Sequence, residues 1–295
     1  MTMIAAILVA LTLAYPGSAS ASNCIVIEAG DGGSPIVKAS VNGEGPFDFV
    51  LDTASSGSTL DQPHIDQLRL PRDAQTEQAQ GMGGPLDVRL YRVETFSIGP
   101  QTVSALTVPS IPAPAFDSHA VAGLAGVDIF GTSLAVWRSK DRCVAIETSG
   151  APPAGERWSS IPAQWIQPWK IMLPLRIDGV DGWGLLDTGA QHTTLNPVFA
   201  DLLGLTAASG RTAAAGSIYG LDGRELPVVA GAVGDARIGT WTFEGRTVKV
   251  GALPVFDRLG AANAPLAIIG MDWLAGRDFA VDYGAHLVWL RANAP

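Results

Sequence analysis

Charge is scarce in this 295-residue chain: only 16% of its residues are charged, and no run of Lys or Arg occurs anywhere along it. With 19 Lys plus Arg against 28 Asp plus Glu the formal charge is −9, which leaves no electrostatic footprint for nucleic acid. Histidine is as sparse. His64, His119, His192 and His286 stand apart from one another and from acidic residues at metal-ligand spacing, so surface or core roles are expected for them and no metal or cofactor is called for. Cysteine occurs only twice, as Cys24 and Cys143, neither with a neighbour that would suit zinc. Beyond the first residues no stretch approaches the roughly 20 apolar residues that span a bilayer. What the chain has in quantity is hydrophobic residues (47%), glycine (34) and proline (20), a composition that suits a folded, turn-rich, mostly β protein. Its length allows two compact domains, each with its own core.

Residues 1–15 form an apolar run without a charged side chain, followed by Pro16, Gly17 and the small residues Ser18-Ala19-Ser20-Ala21. That pattern predicts a secretory signal over residues 1–21 and a secreted or periplasmic mature protein. The basic residue that usually precedes the apolar run is missing, and an uncleaved N-terminal anchor is the alternative. In an exported chain the even cysteine count favours one Cys24–Cys143 disulfide, with two buried thiols as the competing arrangement.

The main organisational feature is a repeat. Leu51-Asp52-Thr53-Ala54 recurs as Leu186-Asp187-Thr188-Gly189, 135 positions later, and the same shift pairs Thr59 with Thr194, Leu60 with Leu195, Asp66 with Asp201, Leu68 with Leu203 and Leu70 with Leu205. Farther on the offset drifts to 140 between Ile98-Gly99 and Ile238-Gly239, and to 144 between Gly126-Val127-Asp128 and Gly270-Met271-Asp272. Two variants of one unit are therefore expected, over 22–155 and 156–295. The Pro- and Gly-bearing stretch 148–169 reads as their connector.

Within each unit the local signals agree. Phe49-Val50-Leu51 and Leu185-Leu186 are short apolar runs that would deliver an Asp at the end of a buried strand. Asp61 and Asn196 are N-cap candidates ahead of Pro63 and Pro197, with Leu68 and Leu203 closing short helices against the core. Residues 88–98 and 228–238 read as strands, and the Gly-rich runs 81–84 and 216–223 before them as hairpin tips. Asp128 and Asp272 each follow a Gly and precede an apolar stretch, which suits helix capping rather than chemistry. Gly30-Asp31-Gly32-Gly33 lacks the Lys of a phosphate loop and reads as a turn. Trp165 and Trp169 are expected to pack the lobes together.

Two carboxylates at equivalent strand ends of pseudo-symmetric halves would meet if the halves pack about a local two-fold axis. Carboxylates about 3 Å apart cannot both ionise, so the pair holds one proton and offers an acid and a base together. A water between them could be deprotonated by one while the other protonates a carbonyl oxygen. The small residues Ala54 and Gly189 let backbone N–H groups approach the carboxylates, and the Thr53 and Thr188 hydroxyls can bond across the interface.

Asp52-Thr53-Ala54-Ser55, Asp187-Thr188-Gly189-Ala190, and the later elements Leu124-Ala125-Gly126 and Ile268-Ile269-Gly270 resemble those of the pepsin and retropepsin superfamily, most closely its bacterial retropepsin-like aspartic proteases. The resemblance runs from about Pro35 to Leu290. It implies an all-β fold of two β-barrel lobes with short helices and an active site between them. It also implies an aspartic endopeptidase with Asp52 and Asp187 as its dyad, supported by Thr53, Ala54, Ser55, Thr188, Gly189 and Ala190. By the same similarity Gly81, Met82, Gly83 and Gly84, with Ile218, Tyr219 and Gly220, are candidate flap residues over an extended protein or peptide substrate. Because both half-sites lie in one chain, a monomer is expected. The chain departs from the pattern at Ala54, where Gly is commoner, and at Ser55, which faces Ala190 in the repeat. A Ser55 hydroxyl donating to Asp52 would favour the negative charge there and leave Asp187 the proton holder. The alternative to catalysis is a protease-like module that binds peptides without cutting them.

Overall fold

A computed structural model describes residues 23–167, 169–220 and 223–292. The signal predicted over 1–21 lies outside the described residues. Nearly all regular structure is β, and its organising unit is a hairpin that occurs once per half. In the first, strand Pro35–Val41 turns at Asn42-Gly43 into Glu44–Leu51; in the second, Lys170–Ile177 turns at Asp178-Gly179 into Val180–Leu186. All four turn residues have positive φ (51° and 80°, 45° and 87°), the conformation that two-residue hairpin turns need and that Asn, Asp and Gly adopt most readily.

A second strand lies parallel to each outgoing arm. Val121–Ala125 runs beside Glu44–Leu51, with Leu51 opposite Ala125, and Leu266–Ile269 runs beside Val180–Leu186, with Leu186 opposite Ile269. All residues of both strands are buried, which explains why they read as unbroken apolar runs. The glycines that end them are forced by packing. A Cβ on Gly126 would sit 2.4 Å from the Gly57 carbonyl carbon, and one on Gly270 would sit 2.6 Å from that of His192. The helices Gln62–Gln67 and Pro197–Leu202 follow, capped as the sequence predicts: Asp61 accepts from the His64 N–H and Asn196 from that of Phe199.

The halves are joined by a six-stranded sheet to which both contribute, in the order Cys24–Val26, Cys143–Glu147, Leu134–Arg138, Phe279–Asp282, Leu287–Arg291, Trp158–Ile161. Its centre pairs Val136 with Ala280, and Trp137 stacks on Phe279 at 4.6 Å. Phe130 stacks on Tyr283 at 5.2 Å, so a continuous aromatic core crosses the boundary between the halves. Trp165 also belongs to this packing, stacked on His286 at 4.7 Å and edge-on to Tyr283. Cys24 and Cys143 form a disulfide between the edge strand Cys24–Val26 and its neighbour Cys143–Glu147, with Cα atoms 5.8 Å apart. The stretch 148–169 proves to be more than a connector. It supplies strands Trp158–Ile161 and Gln164–Ile166, because its apolar residues complete sheets begun elsewhere in the chain.

Long hairpins rise from each half. Arg72–Gly81 and Gly84–Ile98 meet at Met82-Gly83, as expected. In the second half the tip lies between Tyr219 and Glu225 rather than beginning at Gly216. Gly216, at φ +71°, sits at an irregularity inside strand Thr212–Tyr219, where the register slips between Ala214 and Ser217, so its conformational freedom serves a bulge.

Candidate active site

Each Asp is placed by backbone pairing. The Asp52 N–H donates to Ala125 O at 2.9 Å and the Asp187 N–H to Ile269 O at 3.2 Å, continuing the parallel ladders one residue past each strand. The chain then turns back so that two N–H groups converge on one carboxylate oxygen in each half. Asp52 Oδ1 accepts from Ala54 N (2.7 Å) and Ser55 N (3.0 Å), and Asp187 Oδ1 accepts from Gly189 N and Ala190 N, both at 2.9 Å.

The threonines lock the two turns to each other. Thr53 N–H donates to Thr188 Oγ1 and Thr188 N–H to Thr53 Oγ1, both at 3.0 Å. Each hydroxyl passes its own proton across, Thr53 to Leu186 O at 2.9 Å and Thr188 to Leu51 O at 2.6 Å. Both threonines are fully buried, and every polar atom of the exchange is matched. The result is a rigid base that sets Asp52 and Asp187 side by side. A Cβ on Gly189 would lie 2.6 Å from Asp52 Cγ, so the second turn must be glycine at this position for the first carboxyl to fit.

The electrostatics follow from that crowding. Burial pushes the Asp52 carboxyl above its ordinary range, partly countered by the Lys170 charge, by the N–H groups of Ala54 and Ser55, and by a hydrogen bond from Asp187. Asp187 is raised by burial and then by the negative charge of Asp52, against the N–H groups of Ala190 and Gly189 and the charge of Lys170. One proton shared by the pair, held on Asp187 and donated to Asp52, fits both sets of causes. Burial and the nearby Asp52 charge raise the phenol of Tyr283, which stays neutral; its hydroxyl has no hydrogen-bond partner among the described residues.

Three sequence expectations change here. The Ser55 hydroxyl donates to Gly57 O at 2.7 Å, not to Asp52, because the tight turn brings that carbonyl to it first. Asp128 and Asp272 brace the loops instead of capping helices. Asp128 accepts from the N–H and hydroxyl of Ser58 (2.9 and 2.8 Å) and Asp272 from those of Thr193 (both 2.8 Å), while Ser58 and Thr193 accept from the N–H groups of Gly126 and Gly270. Of the flap candidates, Gly81, Met82, Gly83 and Gly84 form the first tip. Ile218 and Tyr219 lie on a strand of the second hairpin, and Gly220 opens its tip. Met82 and Ile218 pack in one apolar cluster with Ala54 and Ala190, and Arg224 of the second hairpin donates to the carbonyls of Gly83 and Pro85, so the two hairpins meet near their tips. Sequence reasoning missed Lys170, Arg224, Ser58 and Thr193. The last two were readable, since they are hydroxyl residues at the same 135-residue shift.

Two pseudo-symmetric β lobes, each presenting an Asp-Thr turn to a common two-fold axis, define the aspartic protease class. The aspartyl protease family model matches the chain twice, over residues 37–129 and 173–273, and the protein belongs to that family. A comparison with curated proteins finds no match.

Proposed function

We propose that the protein is an aspartic endopeptidase that cuts extended polypeptides with the Asp52/Asp187 pair. The observation that carries this reading is the pair itself: the buried Asp187 carboxyl and the partly buried Asp52 carboxyl, set side by side on a base made rigid by the threonine exchange. A water between them attacks the scissile carbonyl carbon, losing a proton to the Asp52 carboxylate while Asp187 protonates the carbonyl oxygen. The tetrahedral diol then collapses. The proton on Asp52 goes to the leaving nitrogen, a diol hydroxyl returns its proton to Asp187, the C–N bond breaks, and the pair regains its starting state. No covalent intermediate forms, and the chain's own residues supply both proton transfers.

The family makes a protein or peptide the substrate. The long hairpins can bind it as an added strand, with Gly81 to Gly84 contributing backbone donors and acceptors. Both Asp turns lie in one chain, so the active unit is a monomer of lobes 22–155 and 156–295. The disulfide and the apolar N-terminus favour an exported protein, since such bonds persist in oxidising compartments. Among the described residues no helix is long and apolar enough to cross a membrane.

Purified protein should cleave a mixed peptide library over an acid to neutral range and be blocked by a statine-type inhibitor. Asp52→Asn and Asp187→Asn should each lose activity by at least about a thousandfold, the scale of positioned acid and base catalysis. Peptide binding without cleavage across that range would instead mark a noncatalytic module.

A further inference from the structure

The two half-sites differ most in what lies behind the Asp turns. Aligning the hairpins by register sets Ile36, opposite Val50, against Met172, opposite Leu185. Two residues before each stand Ser34 and Lys170. Ser34 is fully buried and its Oγ has no partner among the described residues. Lys170 is a cation at the equivalent place. Its ammonium donates to Ala54 O and, at 3.2 Å, to Ser56 Oγ, so it is held against the Asp52 turn by a strand of the opposite half.

We infer that Lys170 is a positioning residue of the dyad: its charge, docked on the Asp52 turn, holds the single negative charge of the pair on Asp52 and lets that monoanion form at lower pH than the two facing carboxyls alone would allow. The inference rests on the peptidase reading above and adds to it the source of the asymmetry between the two aspartates.

The charge arithmetic supports it. Two carboxyls sharing one proton carry one negative charge, and Lys170 makes the site neutral. The charges that act on Lys170 are those of Asp52 and Asp187, on the two turns it faces; Tyr283, just past strand Phe279–Asp282 and subject to the Asp52 charge, is neutral. Burial lowers the ammonium's own pKa while the two aspartates raise it, as expected of a cation kept in place by the site's negative charge. Among the described residues no cation takes the corresponding place in the first half, where the register sets Ser34. A polar tie alone could have been made by a Gln or Ser; a cation adds a charge that shifts where the pair titrates.

The test is the pH–rate profile of the full protein on labelled, unstructured casein for wild type, Lys170→Met and Lys170→Arg. A nearby cation depresses carboxyl pKa values by roughly one unit or more. Removing it should therefore move both limbs of the bell to higher pH by about one unit, while Lys170→Arg keeps the wild-type limbs. A rate lowered equally at every pH with unmoved limbs would reduce Lys170 to a structural tie and overturn the inference while leaving the peptidase reading intact. Lys170→Gln supplies the same uncharged comparison if the Met variant does not fold. If wild type cleaves nothing, the peptidase reading falls, and carboxyl ¹³C titration of Asp-labelled protein, assigned with the two Asn variants, decides the inference. Midpoints of Asp52 and Asp187 that rise in Lys170→Met support it, and unmoved midpoints reject it.

Discussion

The two Asp turns are built alike where geometry is set and unlike where charge is set. Each carboxylate receives two backbone N–H groups, each threonine bonds across to the other turn, and each loop is braced by an aspartate through a hydroxyl residue. Against that symmetry stand three differences: Ala54 against Gly189, Ser55 against Ala190, and Lys170 against Ser34. Placing two carboxyls face to face requires the shared features in both halves. Deciding which one holds the proton requires only that the surroundings differ, and a cation touching one turn does this more strongly than a hydroxyl already committed to Gly57.

The largest effect that would break the comparison is expected at the first of those differences. In Gly189→Ala the new methyl would meet the Asp52 carboxyl, with Cγ and Oδ2 each at 2.6 Å. Displacing that carboxyl by a fraction of an ångström should cost roughly a hundredfold in kcat/KM, as misplacement of a reacting group does. Ala54→Gly removes a methyl from a partly buried position in the apolar cluster and should change kcat/KM by less than about fivefold, a loss of loop stiffness rather than a clash. Equal losses in the two variants would show that the turns are interchangeable after all.

The threonine exchange tests the symmetric part. Thr188→Val keeps the shape but leaves the buried Thr53 N–H and Leu51 carbonyl without partners, a loss of about 2–4 kcal/mol by urea denaturation. Thr53→Val does the same to Thr188 N–H and Leu186 O, and should cost about as much. Since the four bonds form one unit, the double variant should lose clearly less than the two single losses added together. Strict additivity would mean that each threonine acts on its own turn alone.

Much of this arrangement is legible in the chain. The 135-residue shift locates both aspartates, both helix caps and the lobes, and the glycines at 126 and 270 are fixed by contacts that any copy of the unit would need. Asn42-Gly43 and Asp178-Gly179 are readable hairpin signals as well. Lys170 is not, because two things conceal it. Its partners Ala54 and Ser56 lie across the lobe interface, and the incoming arms of the two hairpins are offset by one residue more than the outgoing arms, so a constant shift pairs it with Pro35 rather than Ser34. The shared sheet is hidden for a similar reason. Its neighbours come from the start, middle and end of the chain, and local apolar pattern carries no record of which distant strand will pair.

The smallest expected effect concerns stability and sets Asp187 against Asp282. Burial and the charge of Asp52 hold the Asp187 carboxyl above its unfolded value, so the folded protein keeps a proton that the unfolded chain releases, and folding loses stability as pH rises from the ordinary carboxylate range through the raised value. Asp282 is the reverse. Burial works against its ionised form, but N–H groups of Gly150, Ala285 and Gly284 and the Ser149 hydroxyl outweigh it and lower the carboxyl, so its contribution is present above the unfolded value and is lost as pH falls through the lowered one. Asp187→Asn, which mimics the protonated acid, should therefore raise Tm by roughly 2–4 °C near pH 7.5 and by little near pH 3.5. Asp282→Asn should lower Tm near pH 7.5 and do so less near pH 3.5. Calorimetry of both variants across that interval would show difference curves of opposite sign. A fall in Tm for Asp187→Asn at neutral pH would mean that the carboxyl is held for the fold, and that its burial is not a cost borne for chemistry.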